Sequence, residues 1–136
     1  MRQLHDPAEA AAWLRTQVRG DLRADSRALQ PGDAFLAWPG AATDARAHVA
    51  QALVRGAAAC LVEAEGVAAF GLDDSRVAGY AGLKAASALV ADAYYGHPSQ
   101  QLQVLAVTGT NGKTSTAWWL AQALSALPRP LPCAMV

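Results

Sequence analysis

The sequence predicts an α/β fold: a small domain of alternating strands and helices, followed by the first strand, phosphate-binding loop and helix of a second domain. Three observations favour this class. Apolar segments of strand length, such as residues 34–38 and 58–62, alternate with segments of helical pattern. A break at residues 96–99 interrupts this alternation. A glycine-rich turn then lies between the apolar run 104–107 and a further helix.

Capping residues set the bounds of the predicted helices. Asp6, with Pro7 directly after it, begins a helix that runs to about residue 18 and ends before Gly20. Asp44 begins the next helix, which Gly56 closes. A third helix covers residues 83–95, with Gly96 after its end. The apolar residues expected to face the core are Trp13, Leu14, Val18, Val49, Leu53, Val54, Leu83, Leu89 and Val90.

The remaining segments carry weaker patterns. Residues 77–80 predict a short strand and residues 133–136 the start of another, while residues 67–72 are compatible with a strand or with a connection that contains a turn. The helix over residues 114–127 has no charged side chain, which is typical of a helix buried on all sides.

The glycine-rich turn has the chemistry of a phosphate-binding loop. Gly109 and Gly112 permit backbone geometry that turns successive N–H groups toward phosphate oxygens, and the following helix adds the positive end of its dipole. Lys113 would bind the outer phosphates, and the Thr114 hydroxyl would bind Mg²⁺. Asn111 tolerates left-handed geometry and could fix the turn. The first glycine of the strict G-x-x-x-x-G-K-[ST] pattern is absent, but the strand and helix context supports the assignment.

Composition excludes several classes of function. The chain has 136 residues and a formal net charge of zero, which gives no support for nucleic-acid or membrane-surface binding. No segment is long enough to span a membrane and the N-terminus lacks a signal-peptide core, so a soluble, cytoplasmic protein is expected. Cys60 and Cys133 are expected to be free thiols. His5, His48 and His97 lack metal-ligand spacing.

Three smaller patterns are interpreted as structural. Glu63 is expected to be a strand-end residue, and Tyr94 and Tyr95 are expected to pack at a helix end. Asp-Ser-Arg occurs twice, at Asp25 and Asp74, without further similarity around the two copies, so the repeat is treated as a coincidence.

Three segments together resemble the amino-terminal part of the Mur ligase family. They are the Asp-Ser-Arg…Pro-Gly-Asp-x-Phe stretch within residues 25–40, the stretch 52–59, and Tyr-Gly-His-Pro-Ser at residues 95–99 leading to Thr-Gly-Thr-Asn-Gly-Lys-Thr at residues 108–114. The last of these favours the members that add the third stem-peptide residue of peptidoglycan, usually meso-diaminopimelate. The resemblance covers nearly all of this chain but only the first quarter to third of the family's length.

The resemblance implies two binding sites. Residues 1–98 would form the domain that binds the UDP-N-acetylmuramoyl-dipeptide substrate, and residues 99–136 the truncated start of the ATP-binding domain. The implied contacts to the uridine nucleotide are Ala24, Ser26, Ala41, Ala42 and Thr43. The implied contacts to ATP phosphates are Gly109, Thr110, Asn111, Gly112, Lys113, Thr114 and Ser115, with Thr114 also a ligand of Mg²⁺.

The reaction implied by the resemblance is an ATP-dependent ligation. ATP phosphorylates the D-glutamate carboxylate, and the amine of an incoming amino acid attacks the acyl phosphate. The family's acidic metal ligands lie downstream of the loop, so the 136 residues alone are expected to be inactive. Residues after about 100 are expected to be poorly anchored, which would leave an apolar surface for self-association. Two alternatives stay open: the D-alanyl-D-alanine-adding ligase, and a stand-alone module that binds a UDP-sugar or a partner protein.

Overall fold

The structure, a computed structural model, describes residues 1–101 and 104–128. The chain divides into two compact units, Met1–Gln101 and Leu102–Val136. The predicted strand at residues 133–136 and the thiol of Cys133 lie outside the described residues. No helix in the described ranges is long and apolar enough to cross a membrane.

The first unit is built on a parallel sheet of five strands, which confirms the predicted α/β class. The strands are β1 (Arg2–Leu4), β2 (Leu22–Arg23), β3 (Ala34–Ala37), β4 (Ala59–Glu63) and β5 (Val77–Tyr80). Their order across the sheet is β1-β5-β4-β3-β2, so the predicted strands occupy the centre. All residues of β3, β4 and β5 are buried, as expected for parallel strands covered on both faces. The short edge strands β1 and β2 were not predicted.

Three of the four α-helices in the described ranges agree closely with their predicted bounds, and the second begins later than predicted. They are α1 (Pro7–Gln17), α2 (Val49–Val54), α3 (Leu83–Tyr94) and α4 (Lys113–Ser125). Asp6 caps α1, because its Oδ1 accepts hydrogen bonds from the N–H groups of Ala8 and Glu9 at 2.8 and 3.2 Å. Short 3₁₀ helices cover Ala45–His48, Val67–Phe70 and Pro98–Gln101.

Two of these 3₁₀ helices refine the prediction. The one at Ala45–His48 is capped by Asp44 as expected, but α2 begins only after it. The one at Val67–Phe70 shows that residues 67–72 form a connection that contains a turn rather than a strand.

Each face of the sheet carries its own core. Leu36 and its neighbours pack with residues of α1 and α3, while Phe35 packs with Val49 and Ala52 of α2. Two apolar residues expected in the core are instead exposed, Val54 at 88% and Leu89 at 61%. In α2 the buried pair is spaced by three residues, so Val54 lies on the opposite side of the helix. In α3 the buried residues Leu83 and Val90 are seven positions apart and share one face of the helix. Leu89 lies outside that buried face.

The second unit differs from its prediction in two ways. Residues 104–107 do not form a strand, and no residue of α4 is buried, with Trp118 and Trp119 exposed at 53% and 72%. A strand requires a neighbour for its backbone hydrogen bonds, and an apolar helix requires a sheet to cover. The described part of this unit contains neither, so the sequence pattern alone does not produce the strand or bury the helix.

Candidate functional site

The phosphate-binding loop has glycine-dependent geometry at both predicted glycines. The φ angles of Gly109 and Gly112 are +148° and +79°, where a side chain would be strained. Gly112 is the N-cap of α4, so the free N–H groups of the first helical turn follow directly. Asn111 does not adopt the left-handed geometry that it would tolerate. In the described ranges, the non-glycine residue with a positive φ is His97. The loop therefore depends on its glycines.

Lys113 is folded back onto this loop. Its Nζ donates to the carbonyl oxygen of Gly109 at 2.5 Å and lies 3.5 Å from that of Thr110. The side chain is exposed, as are Thr114 and Ser115 in the first turn of the helix. The lysine charge and the Thr114 hydroxyl are thus close to the glycine turn and accessible to a ligand.

These residues fit a nucleotide phosphate and Mg²⁺. Backbone N–H groups and a lysine suit phosphate oxygens, and a single hydroxyl oxygen suits Mg²⁺, which usually keeps several waters and phosphate oxygens. No group of three or more His, Cys, Asp or Glu side chains with metal-binding geometry occurs among the described residues.

A second candidate site lies in the first unit. It is a cleft of about 540 Å³. Three of the residues implied by the family resemblance line it, namely Ala24, Ser26 and Thr43. Ala41 and Ala42 do not line it and are exposed in the bend before Thr43. The structure thus brings together most of the expected nucleotide contacts, although the two alanines lie outside the cleft.

The sheet topology explains why these residues meet. β2 and β3 are adjacent and parallel, with Arg23 paired to Phe35, so their carboxyl ends lie at the same edge of the sheet. Residues 24–27 follow β2, and the loop to Thr43 follows β3. The edge at the carboxyl ends of parallel strands is the usual position of ligand sites in α/β sheets.

Sequence reasoning missed the wall of the cleft nearest α2. This wall consists of His48, Gln51 and Arg55, which are all exposed and line the cleft. Their spacing of three and four residues places polar side chains on one side of a helix. This spacing is the sequence feature from which the polar wall could have been predicted. Four further residues also line the cleft, namely Asp25, Arg27, Phe35 and Ala45.

Asp25 and Arg27 form a closed local ion pair at this cleft. The Arg27 backbone N–H and Nε both donate to Asp25 Oδ1 at 2.9 Å, and Nη2 donates to Oδ2 at 2.7 Å. The hydrogen bonds from Arg27 lower the pKa of Asp25 to about 2. The carboxylate is therefore ionised at neutral pH, and its charge is offset by its own neighbour.

The same Asp-x-Arg turn occurs at two other positions. Asp74 accepts from the N–H of Arg76 at 2.8 Å, and Asp44 accepts from the N–H of Arg46 at 3.0 Å, each with a paired guanidinium. The two copies of Asp-Ser-Arg are thus the same local turn, so their shared sequence has a structural reason.

Comparison with known proteins gives a consistent picture. No family profile matches the chain. The chain is 62% identical over 133 residues to the UDP-N-acetylmuramoyl-L-alanyl-D-glutamate–2,6-diaminopimelate ligase of Acidovorax sp. (strain JS42), covering 94% of this chain and 26% of that protein. It is 45% identical over 127 residues to the protein of the same name from Pseudomonas aeruginosa, covering 93% of this chain and 25% of that protein.

A solved structure shows the same fold. The crystal structure of MurF from Acinetobacter baumannii matches with a TM-score of 0.62 and 28% identity, over 88% of this chain and 27% of that one. The chain therefore spans about a quarter of the length of the relatives that it matches.

Proposed function

Because this chain belongs to the Mur ligase family, we propose that it supplies the nucleotide-substrate domain and the start of the ATP site of a peptidoglycan-precursor ligase. We assign residues 1–98 to the domain that binds UDP-N-acetylmuramoyl-dipeptide and residues 99–136 to the start of the ATP-binding domain. The observation that carries the first assignment is the cleft shared by Ala24, Ser26 and Thr43.

In this proposal the cleft binds the uridine end of the substrate. The Ser26 and Thr43 hydroxyls can donate to and accept from a ribose or a uracil edge, and Ala24 offers backbone groups and a small apolar surface. Ala41 and Ala42, which lie outside the cleft, would contact the substrate only through their backbone or after a movement of their loop.

The loop of the second unit would bind the phosphates of ATP. N–H groups at the start of α4 and the Lys113 ammonium would stabilise negative charge on the transferred phosphoryl group. The Thr114 hydroxyl would hold Mg²⁺, which when bound offsets phosphate charge. In the proposed reaction the D-glutamate carboxylate of the substrate receives the γ-phosphoryl group of ATP, and the amine of the added amino acid then displaces phosphate.

The added residue is proposed to be meso-diaminopimelate. Support comes from the relatives that are 62% and 45% identical, both of which are named for 2,6-diaminopimelate. The alternative of a D-alanyl-D-alanine-adding ligase is less favoured, since that member commonly has a serine-containing variant at Thr110-Asn111.

Calorimetry with UDP and with ATP, titrated separately into the 136-residue chain, tests the binding assignment. We expect UDP to bind, and Ser26→Ala to weaken UDP binding about threefold to tenfold through loss of one hydrogen bond. Ser75→Ala is the matched control, because Ser75 occupies the middle of the other Asp-Ser-Arg turn and does not line the cleft. No UDP binding by the wild-type chain would refute the assignment.

The ligation itself is proposed for a chain with the length of the relatives. We expect the 136 residues alone to release no phosphate from ATP in the presence of the nucleotide dipeptide and diaminopimelate. Amine-dependent phosphate release by the purified chain would contradict this and would also exclude the stand-alone binding module.

A further inference from the structure

We propose that Arg55 binds the phosphate groups of the uridine nucleotide and so makes the cleft selective for a nucleoside diphosphate over a nucleoside. This inference rests on the proposed function, because it assigns a further specificity-determining residue to the same cleft. Arg55 lies in the stretch 52–59 that carries part of the family resemblance, but it is not among the site residues which that resemblance implies.

The backbone of Arg55 is held firmly at the edge of the cleft. Arg55 is the C-cap of α2, and its N–H donates to the carbonyl oxygen of Gln51 at 3.0 Å. The next residue, Gly56, has a φ of +97°, and its carbonyl oxygen accepts from the N–H of Gly32 at 2.9 Å. The end of α2 is thus tied to the turn before β3, and a cation is favoured at the C-terminal end of a helix.

The side chain of Arg55 reaches the Ser26 segment. Its Nη1 donates to the carbonyl oxygen of Ser26 at 3.2 Å, across 29 residues of sequence. A guanidinium has five N–H donors in a planar fork. Among the described residues this is the one hydrogen bond recorded for the Arg55 side chain, so most of the guanidinium donors face solvent or a ligand. Arg55 is therefore held beside the backbone of Ser26.

Charge in the cleft favours an anion at Arg55. The carboxylate that lines the cleft, Asp25, is engaged by the guanidinium of Arg27 through two parallel hydrogen bonds. No ion pair involves Arg55 among residues 1–101 and 104–128. Arg55 therefore presents a cation whose charge no neighbouring carboxylate offsets, and a planar fork of this kind suits phosphate oxygens.

The rest of the cleft suits the nucleoside. Ala24, Ala45 and the hydroxyls of Ser26 and Thr43 offer the mixture of apolar surface and hydrogen-bonding groups that a ribose and a base require. A volume of about 540 Å³ lies within the usual range for small-molecule sites. Because Arg55 lies against the Ser26 backbone, a nucleoside held by Ser26 and Thr43 would have its phosphates within reach of the guanidinium.

The test compares UDP with uridine. We would titrate both into the ¹⁵N-labelled 136-residue chain and follow amide shifts, for wild type, Arg55→Gln and Arg55→Lys. Arg55→Gln keeps a polar, hydrogen-bonding side chain but removes the charge. We expect it to weaken UDP binding about tenfold while leaving uridine binding unchanged. The UDP affinity of Arg55→Lys should lie between those of wild type and Arg55→Gln. Arg2→Gln is the control, since Arg2 is an exposed arginine on β1, at the opposite edge of the sheet.

Each outcome separates this inference from the proposed function. If wild type binds UDP more tightly than uridine and Arg55→Gln removes that preference, both are supported. If Arg55→Gln weakens both ligands equally, or neither, Arg55 does not recognise phosphate and the inference fails while the nucleotide site stands. If wild type prefers uridine or binds both equally, the inference fails as well. If wild type binds neither ligand, the proposed function fails too.

Discussion

Asp33 is a buried carboxylate that positions the strand leading into the cleft. Its Oδ1 accepts from the N–H of Asp21 at 2.8 Å, and its Oδ2 accepts from the N–H of Gln30 at 3.0 Å and from Arg23 Nε at 3.3 Å. These bonds join the residues before β2 to the turn before β3. A Cβ on Gly20 would lie 2.1 Å from Asp33 Oδ1, so the carboxylate also requires glycine there. The position of residues 24–27 thus depends on Asp33.

The substitution Asp33→Asn should reduce the free energy of unfolding by about 1–3 kcal/mol at pH 7, because one oxygen becomes a donor facing other donors. Burial acts to raise the pKa of Asp33, but the N–H groups of Asp21 and Gln30 and the charge of Arg23 outweigh it, and the net pKa is lowered. The contribution of the carboxylate is therefore complete above its unfolded pKa, near 3.8, and is lost as the pH falls through the lower folded value.

Denaturant unfolding at pH 7, 5, 4 and 3 checks this prediction. The difference between wild type and Asp33→Asn should be constant from pH 7 to 5 and should shrink below pH 4. Asp73→Asn, the same substitution in an exposed loop, is the control for the loss of a surface carboxylate. A difference that grows on acidification would show that the charge of Asp33 destabilises the fold.

At the scale of secondary-structure elements, side chains from distant parts of the chain complete the helix ends. α3 has Gly82 as its N-cap and no capping side chain of its own. Glu63, at the end of β4, accepts from the N–H groups of Gly82 and Leu83 at 3.0 and 2.8 Å. The predicted strand-end residue therefore also caps a helix. At the other end of α3, the Tyr94 hydroxyl donates to the Gly20 carbonyl at 2.8 Å, which agrees with helix-end packing.

Arg46 joins three elements in the same way. This buried side chain pairs with Asp44, donates to the carbonyl oxygens of Glu63 and Glu65, and stacks over the Phe70 ring at 4.8 Å. The 3₁₀ helix before α2, the end of β4 and the 3₁₀ helix that follows β4 are held together as a result. A lysine cannot make the bidentate pair, the carbonyl contacts and the stacking contact together.

We expect Arg46→Lys to lower the free energy of unfolding by about 1–3 kcal/mol. Arg76→Lys is the matched control, because Arg76 forms the same Asp-x-Arg turn with a side chain that is 43% exposed. The free energy of unfolding should fall clearly less in Arg76→Lys than in Arg46→Lys. Chemical denaturation of both variants measures the difference, and equal losses would indicate that the turn itself, rather than the contacts around Arg46, carries the stabilisation.

At the scale of the whole molecule, the two units differ in how much they bury. The first has a core on each face of its sheet, whereas α4 buries none of its residues despite its apolar sequence. A helix of 13 residues without tertiary packing is only marginally stable in water. The two units should therefore open with different free energies.

Amide hydrogen exchange of the 136-residue chain tests this difference. Amides of α4, in particular those of residues 118–124, should exchange much faster than those of α3, a helix of similar length that packs on the sheet. Measurement over a range of protein concentrations separates intrinsic protection from self-association. Protection of α4 equal to that of α3 in dilute solution would refute loose anchoring.

The features that the sequence determined by itself are those set by local chemistry. The cap at Asp6, the positive φ of Gly109 and Gly112, and the start of α4 depend on residues within a few positions. The central strands were also predictable, because a parallel strand buried on both faces must be apolar throughout. Ser26 and Thr43 were placed in one site through family resemblance rather than through local pattern.

Which residues meet, and which apolar residues are covered, depends on the three-dimensional packing. Val54 and Leu89 satisfy a helical pattern yet face outward, because the buried side of each helix is chosen by the sheet it packs on. β1 and β2 are strands only because β5 and β3 supply their hydrogen-bonding partners. The contact of Arg55 with Ser26 spans 29 residues, so no local pattern could reveal it. Burial and long-range hydrogen bonds depend on the partner as much as on the residue.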